Sequence, residues 1–217
     1  MFRLFVFDLD GTLIDSRRDI ADSANLLLEA CGARPLSEEG IGQMVGEGAA
    51  VLVARAFAAA GLEAPADALA RFMAIYGQRL LNHTRPYEGI PDVLDSLGRR
   101  ARLALLTNKP LAATRDILDG LALSRYFPAD MVIGGDGPFA RKPDPAGFGH
   151  LAAQAGVGPQ SALLVGDSFI DWKTARRAAA PICLARYGFS YERFPVAELL
   201  GDERLIDHPA DLLAIAD

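Results

Sequence analysis

The sequence predicts a parallel α/β sheet with helices on both faces, interrupted after its first strand by an all-helical insert. Three observations predict it. Short apolar runs recur at Leu4 to Phe7, Leu103 to Leu106, Met131 to Ile133, Ala162 to Val165 and Ile182 to Leu184, each the length of a strand buried on both faces. Helical patterns separate the later runs, which is the alternation a parallel sheet requires. Between Asp15 and about Tyr87 there is no strand pattern, only helical segments.

The first run, after Met1-Phe2-Arg3, is apolar until Asp8 stops it, too short for a signal peptide or a membrane span. Ser16 is placed to cap a helix running to Ala30, with Gly32 just beyond its end. Ala49 to Ala60 is alanine-rich and stops at Gly61, and a third helix follows Pro65 to about Leu81. This stretch is too long for a crossover and too apolar for a disordered loop. It reads as an inserted domain over residues 15–87, left through Arg85-Pro86-Tyr87-Glu88-Gly89, with residues 1–14 and 88–217 forming the core.

Bulk properties narrow the function. At 217 residues with 51% hydrophobic content, the chain can bury a core without metal or disulfide staples. A net charge of -6 and no lysine-rich run argue against nucleic acid as a partner. Cys31 and Cys183 lie far apart and read as thiols of a reducing cytoplasm. His83, His150 and His208 lack metal-ligand spacing and read as structural.

Four clusters are each read as falling just after a proposed strand, where open α/β sheets place their chemistry. In Asp8-Leu9-Asp10-Gly11-Thr12, alternation can aim both carboxylates at one site while Gly11 allows a tight turn. Two close carboxylates do not ionise independently, so one can attack while the other carries a proton. Leu106-Thr107-Asn108-Lys109 ends a strand with a hydroxyl and an amide. Arg141-Lys142-Pro143-Asp144-Pro145 holds a lysine ahead of a stiffened helix entry. In Val165-Gly166-Asp167-Ser168-Phe169-Ile170-Asp171, the two aspartates lie one helical turn apart. Each alone has an ordinary structural reading: a solvated turn, a capping loop, a surface lysine, a capped helix.

Taken in order, these clusters resemble those of the haloacid dehalogenase superfamily, and within it the phosphoglycolate phosphatase-like branch with a helical cap. The resemblance spans nearly the whole chain, including the late Arg186-Tyr187-Gly188-Phe189 segment. It implies a Rossmann-like core, a magnesium cofactor and a small phosphorylated metabolite as substrate. By that resemblance Asp8 is the nucleophile, Asp10 the general acid and then base, and Thr107 and Lys142 hold the phosphoryl oxygens, with Asn108 beside them. Magnesium is expected on the Asp8 carboxylate, the Asp10 backbone carbonyl and Asp167, with Asp171 supporting those ligands.

Two local departures stand out. Ala178-Ala179-Ala180-Pro181 replaces a segment where relatives usually carry a glycine, and Phe169, Ile170 and Trp172 are bulkier than this helix usually shows. In the insert, Val45-Gly46-Glu47-Gly48 resembles a specificity loop, and Arg55 is a candidate partner for a substrate carboxylate. The resemblance further implies phosphoryl transfer over dehalogenation, since dehalogenases of this superfamily share the Asp nucleophile without a second acidic residue at the position of Asp10. Phosphonate-cleaving relatives use a cap lysine for a Schiff base, and the only lysines here, Lys109, Lys142 and Lys173, lie outside the insert, so the resemblance does not extend to that reaction. Phosphoglycolate is the first expected substrate. Sugar phosphates and other small esters, a phosphosugar mutase, and a non-catalytic phosphate-binding regulator stand as alternatives, and the chain is expected as a monomer or homodimer away from membranes.

Overall fold

The computed structural model describes residues 1–215. The chain runs β1 (Leu4–Phe7), β2 (Ile14–Asp15), α1 (Arg17–Ala30), α2 (Glu38–Gly42), α3 (Ala49–Ala59), α4 (Ala68–Gly77) and β3 (Arg85–Pro86). It continues through α5 (Ile90–Gly98), β4 (Arg102–Leu106), α6 (Leu111–Gly120), β5 (Val132–Ile133), α7 (Ala146–Gln154), β6 (Ala162–Gly166), α8 (Phe169–Arg177), β7 (Ile182–Ala185), β8 (Arg204–Ile206) and α9 (Leu212–Ile215).

Six strands form one parallel sheet in the order β5-β4-β1-β6-β7-β8. Successive residues of each strand point to opposite faces, and both faces are covered. Phe5, Phe7, Leu105, Leu163 and Val165 pack toward α5 and α6, where Val93, Leu94 and Ile117 meet them. Leu4, Val6, Leu106 and Leu164 pack on the other face, against Phe148 and Leu151 of α7 and Ala175 of α8. Because every pair is parallel, the residues after β1, β4 and β6 emerge at one edge, with β1 between its two neighbours.

The stretch after β2 is helical, as the sequence predicts, but it holds four helices, α1 to α4, where three are expected, and further details differ. Ile14–Asp15 and Arg85–Pro86 pair antiparallel as a two-stranded ribbon at the entry and exit of this stretch. Strands this short, one ending in proline, carry no periodicity to read. The short α2 was not anticipated, and the third predicted helix is trimmed to Ala68–Gly77. Ser16 does stand at the N-cap of α1, yet its hydroxyl makes no capping bond. It donates to Asp10 Oδ1 at 2.5 Å. The exit is pinned by buried Asp19 of α1, whose Oδ2 accepts from Thr84 N and Oγ1, both at 2.8 Å, and from His83 N at 2.9 Å. The sixth sheet strand, β8, was also missed, being a half-exposed edge of three residues.

Both cysteines are free thiols, with Cys183 buried on β7 and Cys31 half-buried. Among the described residues, no helix is long and apolar enough to cross a membrane.

The bulky residues of α8 find their partners locally. Phe169 stacks on Trp172 and meets Phe194 edge-on, at 5.2 and 5.6 Å between ring centroids. The missing glycine has a visible cost. Ala179, just past the end of α8, is exposed and takes a left-handed φ of 51° while Ala180 N reaches back to Ala175 O at 2.9 Å. This is a helix-terminating geometry that glycine adopts without a Cβ clash. Ala179→Gly should therefore raise stability by about 1 kcal/mol in urea unfolding; an unchanged or lowered midpoint would contradict this account of the helix end.

Candidate active site

The residues that follow β1, β4 and β6 converge. Asp8 leaves β1, Thr107 and Asn108 leave β4, and Asp167 leaves β6, while Lys142 reaches in from the segment between β5 and α7. Asp8, Thr107, Asn108, Lys142 and Asp167 are all buried and line one pocket, together with Asp10.

At its centre, the Lys142 ammonium donates to Asp8 Oδ1 and to Asp171 Oδ1, each at 2.6 Å. Asp171 is fully buried in the first turn of α8, and its Oδ2 accepts from Ser168 Oγ at 2.5 Å and Ser168 N at 3.1 Å. Ser168 in turn caps α8, so the turn that starts the helix also orients Asp171. Asp167 Oδ2 accepts from Ser190 N at 2.9 Å. Carboxylate oxygens of Asp8, Asp167 and Asp171 lie within 4.8 Å of one another.

Two glycines make room for this cluster. Gly11 has a φ of +88°, and a Cβ there would fall 2.0 Å from Asp167 Oδ2. A Cβ on Gly188 would fall 2.2 Å from the Gly11 carbonyl and 2.5 Å from Asp167 Oδ2. The turn after β1 and the late Arg186-Tyr187-Gly188-Phe189 segment therefore close on Asp167 from both sides.

The charges do not balance. Three buried carboxylates share a single ammonium, so burial pushes Asp8 up to about 7, against the pull of Lys142 and with the repulsion of Asp171 and Asp10. Burial, together with Asp8 and Asp171, holds Asp167 well above the usual carboxylate range. Lys142 is raised too, by a different balance: burial pulls its ammonium down, but Asp171 and Asp8 outweigh it. An all-oxygen, net-negative, buried donor set of this kind suits a hard divalent cation. Both Asp171 oxygens already have donors, which fits it to a supporting place behind Asp8 and Asp167.

Asp10 is held separately. Its carboxylate receives Ser16 Oγ at 2.5 Å and the Lys109 ammonium at 3.0 and 3.1 Å. The Lys109 ammonium also donates to the hydroxyl of Tyr76, on α4, at 2.6 Å. None of Ser16, Lys109 and Tyr76 was among the predicted site residues. A lysine before a proline reads as surface, a serine before a helix reads as a cap, and a tyrosine at helical spacing reads as core.

The residues predicted for the loop between the inserted helices divide. Asn108 Nδ2 donates to the Gly46 carbonyl at 2.8 Å and to the Lys142 carbonyl at 2.9 Å, so Gly46 joins the pocket wall. Glu47 and Arg55 do not line that pocket. They form an ion pair with each other on an exposed face and border a neighbouring groove with Lys173 and Arg193. The rest of the pocket's helical wall is apolar, formed by Val45, Leu52, Phe72 and Met73.

The chain is similar to known hydrolases in sequence and in fold. The model of the haloacid dehalogenase-like hydrolases matches residues 5–185. The phosphoglycolate phosphatase of Rhodospirillum rubrum is 43% identical over 208 residues, covering 92% of this chain and 85% of that protein. Phosphoglycolate phosphatase 1 of Pseudomonas aeruginosa is 39% identical, covering 99% of this chain and 80% of that protein. The crystal structure of a predicted phosphoglycolate phosphatase from Haemophilus somnus superposes with a TM-score of 0.90 at 32% identity, over all of this chain and 98% of that one. With its parallel sheet, its acidic cluster and these matches, the chain belongs to the haloacid dehalogenase-like hydrolase family, in the branch similar to phosphoglycolate phosphatases.

Proposed function

We propose that this chain is a magnesium-dependent phosphatase that hydrolyses a small phosphate monoester through an aspartyl-phosphate on Asp8, with phosphoglycolate as the first substrate to try. The observation that carries this reading is the pairing of Asp8 with Lys142 inside a three-carboxylate cluster, with Asp10 turned to its own partners two residues on. The substrate choice comes from the relatives' activity.

In the first half-reaction an Asp8 carboxylate oxygen attacks phosphorus, the bond from phosphorus to the ester oxygen breaks, and that oxygen takes a proton from Asp10. In the second, Asp10 accepts a proton from a water that attacks the same phosphorus. The bond to Asp8 then breaks and inorganic phosphate leaves. Proton transfer by Asp10 contributes about 10²–10⁴-fold. Lys142, Thr107 and the Asn108 loop surround the phosphoryl oxygens, and Lys142 offsets charge on the transferring group.

Asp8, the Asp10 backbone carbonyl and Asp167 would hold magnesium, with Asp171 behind them. When bound, it offsets the repulsion between carboxylate and phosphate. The stretch over residues 15–87 acts in this reading as a cap that excludes water from the first step. Arg55 is engaged by Glu47 outside the pocket, and among the described residues the helical stretch contributes no cation to the pocket lining.

Asp8→Asn should abolish phosphate release while leaving the melting temperature near that of the parent; a folded variant with near-normal turnover would refute the covalent step. Chelation of divalent cations should abolish activity, and added magnesium should restore it. The metal-free protein should also lose stability as pH rises from about 4 to about 7, because folded Asp8 keeps its proton above the usual carboxylate value of 3.8 and unfolded Asp8 does not. Melts across this range, with and without magnesium, check it. Magnesium should flatten the decline, and a metal-free protein that gains stability over the same interval would contradict the buried-charge account.

A further inference from the structure

Lys109 has the geometry of a working part of the site. Its ammonium is buried and uses both oxygens of Asp10, at 3.0 and 3.1 Å, and the Tyr76 hydroxyl at 2.6 Å. The ammonium also stands 4.6 Å from the centroid of the Tyr76 ring. The backbone carrying Lys109 is fixed: its N–H donates to Thr107 Oγ1 at 3.2 Å, and its carbonyl accepts from Gly135 N at 2.8 Å. Tyr76 is fixed as well, buried and stacked on Phe72 with 5.6 Å between centroids. The other tether on Asp10 is Ser16. Of the groups that hold this carboxylate, one comes from the entry to α1, and the other is itself bonded to α4.

We propose that Lys109 is the positioning residue for Asp10, and that its bond to Tyr76 makes the placement of Asp10 depend on the helical cap being seated over the site. This rests on the reading of Asp10 as the acid and base. A purely structural ion pair in this place would have little advantage, since burying both charges is expensive and an apolar pair would pack as well. Here both charges line the reaction pocket, and the tie crosses from core to cap. With the cap displaced, Tyr76 and Ser16 would both release their hold, and Asp10 would lose the orientation that proton transfer requires. Proton delivery would then coincide with the state in which water is excluded.

The test is a double-mutant cycle on the full-length protein, with Lys109→Met and Tyr76→Phe each made alone and in an Asp10→Asn background. Phosphoglycolate serves as an alkyl substrate and p-nitrophenyl phosphate as one with a good leaving group. Lys109→Met should lower kcat about 100-fold, within the span of acid–base contributions, with KM changed less than about 3-fold. Tyr76→Phe should lower kcat about 10-fold. In the Asp10→Asn background neither change should matter by more than about 2-fold, because residues acting through one group are not additive. Lys109→Met should still release a burst of p-nitrophenol, since phosphorylation of Asp8 by this ester needs little acid assistance.

A rise in KM at constant kcat would make Lys109 a substrate contact and overturn the proposal, as would equal losses in both backgrounds. If Lys109→Met does not fold, Tyr76→Phe decides by the same criteria, and its full activity would overturn the link to the cap. Near-normal turnover by Asp10→Asn alone would sink the acid–base reading and this proposal with it. A large Asp10→Asn loss combined with additive Lys109 and Tyr76 losses would sink the proposal only.

Discussion

The structure turns on one buried charge imbalance. Asp8, Asp167 and Asp171 are gathered at the edge of the sheet with one ammonium, that of Lys142, between two of them. A packed interior does not tolerate such a set without compensation. The surrounding chain supplies part of it: Ser168 and the first turn of α8 hold Asp171, and Ser190 N holds Asp167. Gly11 and Gly188 leave the space in which the carboxylates fit. In the proposed function, the remaining excess of negative charge is what would draw a cation to the site and, with the cation, an anionic phosphate.

The sheet makes that gathering possible. A parallel arrangement brings strand ends that are distant in sequence to one edge, and β1 lies centrally, with β4 and β6 on either side. The two aspartates that follow β1 are then divided by their partners. Asp8 goes to Lys142, while Asp10 goes to Ser16 and Lys109. Two carboxylates two residues apart acquire different environments, and different environments are what acid–base division of labour needs.

Much of this was legible in the sequence because continuous apolar runs mark doubly buried strands, and three of the five runs lead within two residues to a polar residue that lies in the pocket. Asp8, Thr107 and Asp167 were found that way. Lys142 and Asp171 were found by their order in the chain. What stayed hidden depends on side chains meeting across long sequence separations. Nothing near Lys109 in sequence announces Tyr76, 33 positions earlier. Ser16 has the spacing of a helix cap, and only the fold shows its hydroxyl turned to Asp10. Arg55 has the right charge in the right segment, yet Glu47 holds it outside the pocket. The half-exposed β8 and the two-residue ribbon of β2 and β3 lack the apolar run that made the other strands visible. Ala179 shows the converse. The sequence flagged a missing glycine, and the backbone supplies the reason in a left-handed φ.

The central claim is that Asp8 carries the phosphoryl group. Its most direct measurement uses the Asp10→Asn variant, quenched during turnover of p-nitrophenyl phosphate, reduced with borohydride and mapped by mass spectrometry. An aspartyl-phosphate is reduced to homoserine, so the account predicts that product at position 8 and nowhere else. An unmodified Asp8 in a variant that has released its burst of nitrophenol, or homoserine at another aspartate, would contradict it.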